Sequence, residues 1–158
     1  MNETMLADPR YCNNAMLRQA TRRMGQLYDD LLSPTGLRGS QYAILVQIQF
    51  MRMPALRPLA EALVMDLSAL GHTLKPLIRD GLVDLVVDAR DRRVKRARLT
   101  ADGRAKFEEC SKLWQVAQSR FEAAFGLERA AELRSVLGYV SSPEFRDAFV
   151  AAATARPS

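Results

Sequence analysis

Between residues 88 and 98 the chain reads DARDRRVKRAR, setting Arg90, Arg92, Arg93, Lys95, Arg96 and Arg98 against only two acids, Asp88 and Asp91. Guanidinium groups at this density are drawn to the concentrated negative potential of a narrow DNA minor groove, provided a thin element carries them into it. Asp91, between Arg90 and Arg92 and two before Arg93, is placed to hold a guanidinium in a bidentate pair and so aim it. A second set lies upstream. Ser68, His72, Lys75 and Arg79 fall at i, i+4, i+7 and i+11, which is one face of a helix. Ser68 and His72 can reach base edges or phosphates, and Lys75 and Arg79 suit phosphates. Gly71 permits close approach of a backbone or base. The candidate recognition surface is therefore Ser68, Ala69, Gly71, His72, Thr73, Lys75 and Arg79, and the candidate basic tip is Arg90, Asp91, Arg92, Arg93 and Lys95. The bland alternative for either set is a solvated face.

Other chemistries find little support. His72, the single histidine, has no carboxylate at i±3 or i±4, and Ser68 has no base beside it except His72. There is no glycine-rich phosphate loop, metal-ligand spacing or nucleophile elbow, so no catalytic residue, metal or cofactor is expected. Two cysteines, Cys12 and Cys110, make no disulfide framework, and a reducing cytoplasm is the expected location. Cys12 follows Asp8-Pro9-Arg10, a candidate N-cap and first turn where the helix dipole and Arg10 favour thiolate. If the helix starts after Asn13 or Asn14 instead, Cys12 lies just outside it. Cys110 reads as a small buried apolar residue.

The elements that must position these residues follow from periodicity. Of 158 residues, 48% are hydrophobic and 26% charged, as in a globular protein, and the net charge of +5 matters mainly through where it sits. Met16, Ala20, Met24, Leu27, Tyr28 and Leu31 predict an amphipathic helix over 11–32, stopped by SPTG at 33–36. Ser40 is the expected N-cap of a buried helix, QYAILVQIQF. A short helix is predicted over 57–64, and Asp66 caps LSALGHTLKPLIRD, which Gly81 closes. Leu70, Leu74, Leu77 and Ile78 form its expected inward stripe, and Pro76 predicts a kink with the recognition half ending near Thr73. LVDLVVD at 82–88 and VKRARL at 94–99 read as a hairpin around the basic tip. Thr100 caps a helix to about Phe125, and a last helical region over 127–153 breaks at SSP, 141–143. The opening MNETMLADPR lacks the apolar stretch of a signal peptide and no run is long enough for a membrane span, so neither is expected.

A helix-turn-helix followed by a hairpin is a winged helix, so the predicted fold class is mainly α with a small β-hairpin wing. The pattern D-x-x-D-R-R with LTADG after it and LKPLIRDGLV before it resembles the MarR (multiple antibiotic resistance regulator) family of winged-helix transcriptional regulators. Asp91, Arg93, Leu99, Thr100 and Gly103 fill the family's wing signature, and GLRGSQYAIL and PLAEAL extend the likeness over most of the chain. The resemblance implies a homodimer with interleaved terminal helices. It divides the chain into residues 1–36 for dimerisation, 37–100 for DNA binding, and 101–158 for dimerisation again. It also implies a palindromic double-stranded operator, repression, and release by a small aromatic ligand entering a crevice that Met24, Tyr28, Tyr42 and Trp114 could line, or by oxidation near the start of the first helix, the region of Cys12. The competing class is a winged-helix module that binds protein or RNA partners without operator recognition.

Overall fold

The computed structural model describes residues 9–154, in two compact units that divide between Ala117 and Gln118. In the first unit, a 3-10 turn at Pro9–Tyr11 precedes α1, Asn13–Leu32, whose N-cap is Cys12 in extended conformation. The Met16 N–H bonds the Cys12 carbonyl at 3.0 Å, so the helix begins two residues later than its periodicity predicted. Asp8, the expected cap, lies outside the described residues. At the far end the SPT turn, Ser33–Thr35, stops α1. The buried Thr35 hydroxyl donates to the Leu32 carbonyl at 2.7 Å and accepts from the Leu37 N–H at 3.2 Å.

Helix α2 spans Gly39–Met51 and is capped at Arg38, not Ser40, which lies inside the first turn. Two side chains other than a serine satisfy the free backbone donors here. Gln41 accepts from the Arg38 N–H at 3.0 Å, and Asp29 of α1 accepts from the Gly39 N–H at 2.6 Å. Tyr42, Ile44, Leu45 and Ile48 of α2 are buried, as a helix apolar on most sides should be. Helix α3, Leu56–Ala62, carries Pro58 in its first turn and buries Leu59 and Ala60.

The turn after α3 passes through Val64 at φ +52°, a left-handed conformation that costs a β-branched residue about 1–2 kcal/mol. Asp66 then caps α4, Leu67–Arg79, accepting from the Ala69 N–H at 2.7 Å. Leu70, Leu74 and Leu77 are buried, but Ile78 is 37% exposed and does not belong to the inward stripe. Helix α4 runs unbroken past Thr73 to Arg79, over the span expected for it. It continues through Pro76, which removes one backbone donor, and the buried Leu70 and Leu74 before the proline and Leu77 after it hold the helix in place. Gly81, at φ +71°, supplies the left-handed stop.

Strands β1, Val83–Val87, and β2, Lys95–Leu99, pair antiparallel with Val83 opposite Leu99 and Val87 opposite Lys95. On its other edge β2 receives a short extended piece that the periodicity did not foretell. The Ala97 N–H donates to the Pro54 carbonyl at 2.9 Å, and Ala55 bridges Arg96. The hairpin is thereby sewn to the segment leading into α3.

Helix α5, Ala101–Phe125, starts at Thr100, whose hydroxyl accepts from the Gly103 N–H at 2.9 Å and donates to the Gly81 carbonyl at 2.7 Å. Gly103 of the LTADG motif has a steric reason. A Cβ there would lie 1.9 Å from the Leu82 carbonyl oxygen. One core, with Ile44, Leu45, Leu59, Leu77, Val83 and Cys110 among its most buried members, joins α2, α3, α4, the hairpin and α5.

In the second unit, from Gln118, the last part of α5 is followed by α6, Leu127–Val140, and α7, Pro143–Thr154. The break falls at the SSP sequence, where Ser142 accepts from the Phe145 N–H at 3.2 Å. Tyr139 meets Phe145 edge-on at 5.4 Å, and Phe145 meets Phe149 at 6.2 Å. Ala130 is buried, but Leu127, Val136, Tyr139, Phe149 and Val150 are each more than half exposed. No described helix is long and apolar enough to cross a membrane.

Candidate nucleic-acid interface

Helix α4 turns its leucines into the core and leaves Ser68, His72, Lys75 and Arg79 exposed on the opposite side, with Ala69, Gly71 and Thr73 half-buried beside them. Space is open around Gly71, so the fold itself does not require a glycine there. Thr73 is partly committed, its hydroxyl donating to the Ala69 carbonyl at 3.1 Å. Arg79 is paired with its neighbour Asp80 at 2.8 Å, a hydrogen bond that lowers the carboxyl pKa and raises that of the guanidinium. Both partners stand in water, where such a pair exchanges readily for another anion. Ser68, His72 and Lys75 make no side-chain hydrogen bond among the described residues.

The hairpin sorts its basic residues by position. Arg98 meets Asp84 directly across the strands at 3.0 Å. Arg96 donates its Nε to Asp88 and a terminal nitrogen to the Met53 carbonyl at 3.1 Å. At the tip, Arg90, Arg92, Arg93 and Lys95 are exposed, and their side chains have no acidic partner among the described residues.

Asp91 does not aim a guanidinium as expected. Its carboxylate accepts the backbone N–H of Arg93 at 2.9 Å, fixing the path of the chain and leaving the Arg93 side chain free. The organising acid is Asp88, which the residue pattern did not single out. One of its oxygens accepts the N–H groups of Arg90 at 2.8 Å and Asp91 at 3.1 Å, and the other takes Arg96. The Arg96 hydrogen bond, followed by the two backbone donors, holds the Asp88 carboxyl down at about 2. A signal for this was present, because an aspartate two residues before the turn centre is a strong former of side-chain-to-backbone turns.

The candidate ligand-lining residues occupy different settings. Tyr42 is in the core, its ring against Phe107 at 6.1 Å and its hydroxyl 2.9 Å from that of Ser111; burial pushes its pKa up. Met24 and Tyr28 are half-buried on α1, and Trp114 on α5 is 39% exposed. Of the two cysteines, the burial expected for Cys110 is observed. Cys12 is exposed at the start of α1, and Cys110 is buried, with burial raising its thiol pKa.

A three-helix core with an exposed polar face on α4 and a basic two-stranded tip defines a winged helix-turn-helix protein. No family model and no curated protein matches the chain, but solved structures do. The transcriptional regulator MosR of M. tuberculosis, in complex with DNA, is 33% identical, with 82% of this chain and 96% of that one covered and a TM-score of 0.72. A mutant MarR of E. coli complexed with operator DNA is 24% identical over 80% of this chain and 91% of that one, at a TM-score of 0.73. CouR of Rhodococcus jostii, bound to p-coumaroyl-CoA, shares the fold at 22% identity, 87% and 96% coverage and a TM-score of 0.74. The chain belongs to the MarR family of winged-helix transcriptional regulators.

Proposed function

We propose that the protein is a homodimeric repressor that binds palindromic duplex DNA through α4 and the wing and lets go when a small aromatic ligand or an oxidant acts on it. The observation that carries this reading is the sorting of arginines in the hairpin. A solvated charge run would be paired or unpaired without pattern. Here Arg96 and Arg98 are consumed by acids near the sheet, and Arg90, Arg92 and Arg93 have no acidic partner among the described residues, on a turn whose backbone is fixed by Asp88 and Asp91. A rigid tip with loose guanidinium groups suits a minor groove, and the face of α4 carrying Ser68, Ala69, Gly71, His72, Thr73, Lys75 and Arg79 suits the neighbouring major groove.

The exposed apolar residues of α1 (Met16, Leu17, Leu27) and of α6 and α7 (Leu127, Val136, Phe149) support dimerisation through residues 1–36 and 101–158, with residues 37–100 kept for DNA. Two-fold symmetry would then set the two α4 helices about 34–36 Å apart, or a multiple, over successive major grooves. On this reading Met24, Tyr28, Tyr42 and Trp114 are the first places to seek a ligand contact and Cys12 the first to seek oxidation.

Selection of bound sequences from random duplex DNA tests the reading. It should enrich a palindrome whose half-sites are about 10–10.5 base pairs apart, or a multiple, with A·T-rich flanks where the wing lies. Folded protein that enriches nothing would favour a module for protein or RNA partners. Screening aromatic acids and peroxide against the selected duplex, with wild type and Cys12→Ser, separates the two signals. Equal release by peroxide in both proteins excludes Cys12.

A further inference from the structure

Two apolar side chains stand in water at the N-terminal end of α4, and the fold accounts for neither. Val64 is 73% exposed and Leu67, the first residue of the helix, is 46% exposed. Val64 also holds φ at +52°, where a β-branched residue is disfavoured and glycine is at ease. The bonds that make the turn are backbone bonds: Val64 N–H to the Glu61 carbonyl at 3.0 Å and Met65 N–H to the Ala60 carbonyl at 2.9 Å. Glycine would make them equally well. The valine side chain is thus kept at a conformational cost and presented to solvent, so its use lies outside the chain.

We propose that Val64 and Leu67 form an apolar reader of thymine in the operator half-site, an inference that rests on the DNA-binding reading above. The end of α4 bearing them is the end that enters the major groove in a helix-turn-helix. They continue directly into the polar face of Ser68 and His72. The one acid between them, Asp66, has its carboxylate engaged by the Ala69 N–H. In the major groove the C5-methyl of thymine is the apolar feature among the base edges, and an aliphatic side chain is its complement. The pair therefore reads a feature that Ser68 and His72 cannot distinguish by hydrogen bonding.

The test uses the duplex recovered by selection, with each thymine replaced in turn by uracil, which deletes the methyl group alone. Wild type should lose about threefold to tenfold in affinity at one or two positions per half-site. That loss should vanish in Val64→Gly at one position, or in Leu67→Ala at it or the next. Val64→Gly should unfold at no lower temperature than wild type, because it relieves the left-handed strain, so weaker discrimination could not be blamed on misfolding. Tight binding indifferent to uracil at every position overturns this inference and leaves the DNA reading standing. A uracil effect that persists in both variants overturns it too, as does an altered oligomeric state of DNA-free Val64→Gly, which would mark a protein contact. Failure to bind any duplex removes the DNA reading and this inference together.

Discussion

Near the sheet of the hairpin, Arg98 faces Asp84 at 3.0 Å and Arg96 is held between Asp88 and the Met53 carbonyl; a few residues away at the tip, Arg90, Arg92 and Arg93 meet no acid among the described residues. The residue type is the same in both places, and strand register decides its use. A directly opposed cross-strand pair puts Asp84 beside Arg98, whereas the tip has no strand opposite it. Asp88 marks the boundary, spending one oxygen on the base and the other on the backbone of the tip. Charge on the base therefore holds the hairpin together, and charge on the tip is left over for a partner.

Three changes bear on that division, from the largest effect to the smallest. Gly103→Ala removes the platform under both halves. Its methyl would lie 1.9 Å from the Leu82 carbonyl oxygen, a backbone atom that cannot swing aside. A loss of about 3 kcal/mol or more is expected in denaturant unfolding, with DNA binding falling alongside it. Unchanged stability would mean that the turn at Leu82 yields.

Asp88→Asn attacks the boundary itself. It weakens the hold on Arg96 and on the N–H groups of Arg90 and Asp91, so the tip should lose order and DNA affinity should fall about tenfold, although the change adds positive charge. The pH dependence gives a second readout. A carboxyl held at about 2 when folded, against its ordinary 3.8, stabilises the fold fully above about pH 4. The contribution disappears as pH falls from there towards 2. Wild type should lose stability over that window, and Asp88→Asn should lose less. Parallel profiles for the two proteins would show that Asp88 carries no such linkage.

Lys75→Ala removes from α4 an exposed cation that has no partner among the described residues, without touching the core. Affinity should drop alike on selected and unrelated duplexes, with the salt slope lower by about 0.9, one phosphate contact. A loss confined to the selected sequence would instead place Lys75 on a base.

The elements were largely legible in the sequence because their signals are local. Asp66 and Thr100 cap the helices they were expected to cap, Gly81 stops α4, and the SSP sequence divides α6 from α7. Misreadings came where a distant partner overrode a local rule. Ser40 is a good cap by type, but Asp29 and Gln41 serve the free donors of Gly39 and Arg38, one and two residues earlier. Pro76, by contrast, did not hide α4, because Leu70, Leu74 and Leu77 keep the inward period across it.

The interface was legible as a set of residue types and less so as a network. The helical spacing placed Ser68, His72, Lys75 and Arg79 on one face because that face depends only on the period of the helix. Which arginines are free depends on register across the turn, and a cluster of six basic residues in sequence does not reveal it. Asp88 was passed over for the same reason, since its value comes from Arg96, eight residues away. The strain at Val64 is a backbone angle set by the turn between α3 and α4, and no residue type announces it.

The central claim, that the tip arginines are the cations left for DNA, is tested most directly by the salt dependence of binding to the selected duplex. Wild type is compared with the tip variant Arg90→Ala/Arg92→Ala/Arg93→Ala and the base variant Arg98→Ala. Log affinity should fall linearly with log salt concentration for all three proteins. The tip variant should be shallower than wild type by up to about 2.7, three contacts at about 0.9 each, and the base variant should match wild type. Equal slopes for wild type and the tip variant, or a loss confined to Arg98→Ala, would contradict the account.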